Sequence, residues 1–98
     1  MTLESLLADV AAAVSVVAPR ASTKGYLFGS ALRPSFRWTD VDILIVCDNA
    51  EDIARMRALL MPVCAAAPVD LLLMSSAEEA ELNFVSGQGC RLLFKFSP

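Results

Sequence analysis

The stretch from Tyr26 to Cys47, YLFGSALRPSFRWTDVDILIVC, sets two apolar runs on either side of a polar spacer. The second run opens with two acids, Asp40 and Asp42, and continues through Ile43, Leu44, Ile45 and Val46 without a polar break. A continuous run rich in β-branched residues predicts a strand buried on both faces. The first run stops at Gly29-Ser30, because glycine permits the backbone conformations that end a strand. Side chains alternate along a strand, so Asp40 and Asp42 project from one face, roughly 6 to 7 Å apart along the backbone. Two like charges that close raise each other's pKa, so their position at the mouth of a buried strand needs a reason.

Outward from this stretch, apolar periodicity supplies the other elements. Leu3, Leu6, Leu7, Val10, Val14 and Val17 recur at helical spacing and predict an amphipathic helix over residues 2–18, with Pro19 after its end. Pro34 limits SALRPSFRW to a short helical turn or loop. DNAEDIARMRALLMPV reads as a helix with Asn49 as N-cap and a buried stripe of Ile53, Met56, Leu59 and Leu60. PVDLLLMS reads as another buried strand. SSAEEAELNFVSGQG reads as one helix, opened by a Ser76/Glu79 capping box and closed near Gly87. CRLLFKF is the last strand. The order α-β-turn-β-α-β-α-β predicts an α/β (α+β) domain, a mixed sheet packed with helices, over residues 1–98.

Composition narrows the function. The 98 residues argue for one domain. A net charge of −3 argues against direct nucleic-acid binding, which favours a basic stripe. The absence of histidine removes the usual base, metal ligand and pH switch. Cys47, Cys64 and Cys90 form no CxxC pair and are expected to be reduced and buried. The N-terminal apolar segment carries acids where a signal peptide is basic, and it is too short for a membrane span, so a cytoplasmic location with no membrane contact is expected. The hydrophobic fraction, 56%, is high for a small domain and leaves apolar surface for a partner.

The acids carry the chemistry. A cation relieves the conflict between Asp40 and Asp42, and magnesium is commonly held by one or two carboxylates together with substrate phosphates. Asp70 enters its strand at the matching position, so neighbouring strands that start at the same end would bring it to the pair. Three acids can seat two metals about 4 Å apart, the separation used for in-line displacement at phosphorus. Asp48 lies roughly 26 Å beyond Asp40 along an extended strand and belongs to the turn into the next helix instead. Gly29 and Ser30 add what acids cannot, close backbone approach and donors to phosphate oxygens. Each piece alone is ordinary: an aspartate at a strand entrance is often a solvated turn residue, and Gly-Ser an ordinary turn.

Together, Gly29-Ser30, Asp40-Val41-Asp42 and Asp70 resemble the signature of the DNA polymerase β-like nucleotidyltransferase superfamily. The tail EEAELNFVSGQGCRLLF is similar to the closing helix and strand of its small prokaryotic members, the minimal nucleotidyltransferases. The segment after Gly-Ser departs from the pattern: ALRP offers Arg33 but no glycine. The resemblance implies that Asp40 and Asp42 bind two magnesium ions, and that Asp70 binds the one nearest the acceptor hydroxyl and helps deprotonate it. It implies that Gly29, Ser30 and Arg33 bind the nucleotide, Ser30 at the β- or γ-phosphate. The reaction would be attack of a hydroxyl on the α-phosphate of ATP or another nucleoside triphosphate, with release of pyrophosphate. Arg33 and Arg37 fit either phosphate contacts or a solvated loop, and Trp38 either base stacking or a cap on the core. Lys24 and Lys95 belong to no motif.

Larger relatives carry an extra domain for the acceptor. Here the resemblance implies a separately encoded helical HEPN-like toxin, modified on a tyrosine, serine or threonine hydroxyl in a toxin–antitoxin pair. Two alternatives stand beside it: a non-catalytic binding or regulatory subunit with the same fold, and a transferase for a small-molecule acceptor.

Overall fold

The structure, a computed structural model, describes residues 2–17, 19–32 and 40–97. Its centre is β2 (Val41–Cys47), the strand expected after Asp40. Val41, Ile43, Ile45 and Cys47 are buried on one face, and Leu44 and Val46 on the other. A strand buried on both sides belongs inside a sheet. β2 lies between β1 (Thr23–Phe28) and β3 (Val69–Met74), and β4 (Arg91–Phe96) completes the order β3-β2-β1-β4. β1 runs antiparallel to both β2 and β4, while β3 runs parallel to β2. The mixed α+β architecture is therefore the one the element order predicts.

One face is covered by α1 (Leu3–Val17) and α2 (Ala50–Ala66), which pack against each other. Leu6, Val10, Val14 and Val17 of α1, with Met56 and Leu60 of α2, are buried against Leu27, Ile43 and Ile45. Gly25 leaves room on this face for Phe94, whose ring occupies the space that a Cβ would need. The opposite face is covered by α3 (Ser76–Leu82) and α4 (Phe84–Gln88). Phe84 meets Phe28 edge to face, with ring centroids 5.0 Å apart. No helix among the described residues is long and apolar enough to cross a membrane.

Several expectations are corrected. β3 is an edge strand and not one buried on both faces: Val69, Leu71 and Leu73 are half-buried against the core, while Leu72 is exposed. The capping box is Ser75/Glu78, one residue earlier than Ser76/Glu79. Glu78 N–H donates to Ser75 Oγ at 3.1 Å, and Ser75 N–H to Glu78 Oε1 at 3.0 Å. The segment is two helices, because Asn83 adopts a left-handed conformation (φ 49°) that turns Phe84 onto the sheet, and it closes at Gly89 (φ 62°) and not Gly87. Of the three free cysteines, Cys47 is buried, whereas Cys64 and Cys90 are half-buried. In α2, Leu59 is exposed and a charged residue, Asp52, is fully buried in its place.

Asp52 is tolerated because its charge is fully partnered. Its carboxylate accepts from Arg20 N–H at 2.6 Å, Ala21 N–H at 3.3 Å and the Arg55 guanidinium at 2.6 Å. Burial alone would raise its pKa, but the bond from Arg55 and the two amides outweigh it and hold the group below its ordinary value. The link ties the segment after α1 to the start of α2, where the Asn49 side chain caps Asp52 N–H at 3.0 Å. Truncating the cap with Asn49→Ala should cost about 1 kcal/mol. Asp52→Ala strands two amides and a guanidinium, so it should lower the melting temperature further than Asn49→Ala does. A depressed pKa stabilises the fold above the unfolded value and is lost on acidification. The difference between wild type and Asp52→Ala in thermal melts should therefore shrink as pH falls below the carboxylate range.

Candidate active site

The parallel register of β2 and β3 pairs Asp42 with Asp70. Adjacent strands lie about 4.8 Å apart, and paired residues of a parallel ladder project from the same face. Both acids lie near the N-terminal ends of their strands, on the face opposite α1 and α2. Val41 N–H donates to Pro68 C=O at 2.7 Å and ties the two strand entrances together. Burial, then the charges of Asp70 and Asp40 and the side-chain interaction with Asp70, raise the Asp42 pKa. Asp40 is exposed just before β2 and acts on Asp42 through its charge.

Gly29 closes the site from the β1 side. Phe28 pairs with Asp42 across the antiparallel ladder, and the chain then enters a 3-10 turn, Gly29–Leu32, that contains Ser30. Gly29 has φ +75°, and a Cβ there would collide with Asp42 Oδ2. The glycine is thus required twice, by its backbone conformation and by the carboxylate beside it. Its steric fit to Asp42 was not legible in the sequence, which gives no register between β1 and β2. Arg33, Arg37 and Trp38, and the role expected of the Ser30 side chain, lie outside the described residues.

Asp42 and Asp70 offer the hard oxygen donors that magnesium prefers, and their mutual repulsion is what a cation would relieve. Among the described residues, however, no three acidic or cysteine side chains form a ready metal cradle. Two carboxylates are a donor set that magnesium takes together with water, and among the described residues no cage of three acids is preformed.

Asp48 lies at the other end of β2, away from these acids. Its carboxylate accepts from Ser76 N–H at 2.7 Å and Ser76 Oγ at 2.8 Å, bonds that lower its pKa. It therefore anchors the start of α3, not the turn into α2, where Asn49 is the cap.

Comparison with known proteins returns no match to a protein-family model, a curated protein or a solved structure.

A raised carboxyl pKa contributes stability that is complete below the unfolded value and is lost as pH rises through the folded one. Asp42→Asn should therefore raise the melting temperature of the metal-free protein at neutral pH, and the gap should close below about pH 4. Added magnesium should raise the melting temperature of the wild type more than that of Asp42→Asn. Gly29→Ala should lower the melting temperature and weaken the magnesium response together, because it displaces the Asp42 carboxylate.

Proposed function

We propose that the protein is a magnesium-dependent nucleotidyltransferase that moves a nucleoside monophosphate, AMP in the first instance, to a hydroxyl of a separately encoded helical protein. The observation that carries this reading is the register of Asp42 with Asp70 beside the Gly29 turn. Two acids on neighbouring strands next to a strand-ending glycine combine metal ligands with a place for phosphate. The Gly29-Ser30 signature, read by resemblance, supplies the superfamily.

In this reading Asp40, Asp42 and Asp70 hold magnesium, which neutralises triphosphate charge and lowers the pKa of the acceptor hydroxyl. Backbone amides of the Gly29–Leu32 turn donate to phosphate oxygens. The acceptor oxygen forms a bond to the α-phosphorus as the bond from that phosphorus to pyrophosphate breaks, and the hydroxyl proton passes to the Asp70 carboxylate. Asp70 suits that task because it is the exposed member of the pair, open to an incoming acceptor. Holding the acceptor in line supplies much of the rate. The helical partner, a HEPN-like toxin neutralised by the modification, is the acceptor that the resemblance implies.

A second reading, a binding or regulatory subunit without catalysis, is favoured by the lack of a preformed three-acid cradle among the described residues. The test separates the readings. The protein is co-purified with its genomic neighbour and given magnesium and ATP labelled at the α-phosphate. Label should appear on the partner and fall by about 100-fold or more with Asp42→Asn, which removes a metal ligand. Asp70→Asn should stop transfer while sparing much of the magnesium–ATP affinity. Nucleotide binding without transfer to any acceptor would favour the regulatory subunit. Labelling of a small hydroxyl compound in place of the protein would identify a small-molecule transferase.

A further inference from the structure

The sheet face that carries Asp42 and Asp70 at one end carries a like-charged pair of opposite sign at the other. Lys24 of β1 and Lys95 of β4 are register partners, so both side chains leave the same face of adjacent strands. Lysines directly opposite each other repel. Neither takes part in the ion pairs of the described residues, Arg20–Glu51 and Arg55–Asp52. Both line a cavity of about 350 Å³, together with Ser22, Tyr26, Ser76 and Glu79. That volume lies within the range of small-molecule sites.

We infer that this cavity binds a small organic oxyanion, with its phosphate or carboxylate group between Lys24 and Lys95 and a hydroxyl or amine toward Glu79. The two ammonium groups supply charge, and Ser22 and Tyr26 supply hydroxyl donors. Burial, followed by the charges of Glu79 and Cys90, raises the Tyr26 pKa and keeps its hydroxyl protonated. The Ser76 hydroxyl donates to Asp48, so it forms wall and not donor. Val46, the β2 partner of Lys24, adds apolar surface beneath the ligand. Glu79 tunes the affinity: its charge weakens, without abolishing, the binding of a bare anion between the two lysines, and its carboxylate accepts a hydrogen bond from a ligand that carries its own donor. The site is separate from the paired acids, since Val46 and Asp42 are four residues apart on β2, about 13 Å.

The proposal does not depend on nucleotidyl transfer and is tested without magnesium, when the Asp42–Asp70 end repels anions. Inorganic phosphate and acetate are titrated separately into ¹⁵N-labelled protein. Saturable amide shifts should appear at Lys24, Tyr26 and Lys95 with a Kd of about 1 to 10 mM for at least one anion. The tighter anion identifies the group the site takes. Lys24→Gln and Lys95→Gln should each weaken binding by about tenfold, equivalent to 1.4 kcal/mol. Glu79→Gln should tighten it, a gain that lost packing would not produce. Shifts that stay linear for both anions, or that are unchanged in both lysine variants, overturn the proposal.

Discussion

The parallel register of β2 and β3 is the constraint on which the site depends. It is fixed by alternation. Val69, Leu71 and Leu73 pack against the core shared with α1 and α2, so Asp70 and Leu72 must face the other way. A slip of one residue would turn the apolar row outward and drive Asp70 toward the core. The burial free energy of three aliphatic side chains therefore holds two like charges together. The site does not need to be stable in itself, because the hydrophobic core supplies its geometry.

The other acids of the sheet and its flanks show the opposite arrangement. Asp52 accepts from two backbone amides and a guanidinium, and Asp48 accepts from the amide and hydroxyl of Ser76. Both are held below the ordinary carboxylate range by donors that the fold delivers. Asp42 is raised because its neighbours are acids. The carboxylates are separated here by what surrounds them: Asp48 and Asp52 close a helix entrance or a chain crossing, and Asp42 is left in conflict at an open strand end.

The central strand, the cap at Asn49 and the alignment of Asp42 with Asp70 were legible because each follows from a local pattern or a simple alternation of faces. What escaped depended on tertiary placement. Ser75 and Ser76 both precede a glutamate at capping distance; Ser76 instead donates its N–H and hydroxyl to Asp48, and Ser75 caps the helix. The break at Asn83 has no proline or glycine to announce it; it follows from Phe84 reaching Phe28. Asp52 was hidden inside an apolar stripe, because its partners lie across the fold at Arg20 and Ala21 or one helical turn on at Arg55. The spacing of Asp40 and Asp42 was legible, but a formed three-acid cradle was not among the described residues.

Charge is also sorted along one sheet face. β1 places Lys24 near its start and Phe28 at its end, and their antiparallel partners on β2 are Val46 and Asp42. Moving along this face from the paired acids thus leads over Leu44 and Tyr26 to the paired lysines. The aromatic and aliphatic middle is covered by Phe84 and Val85, so solvent reaches the two ends separately. Apolar material between opposite charges keeps them from neutralising each other directly, and at about 13 Å their interaction in water is largely screened at physiological salt. Each end therefore keeps its own character, paired acids at one and, at the other, two lysines that share their cavity with Glu79, and the covered centre of the sheet keeps the two apart.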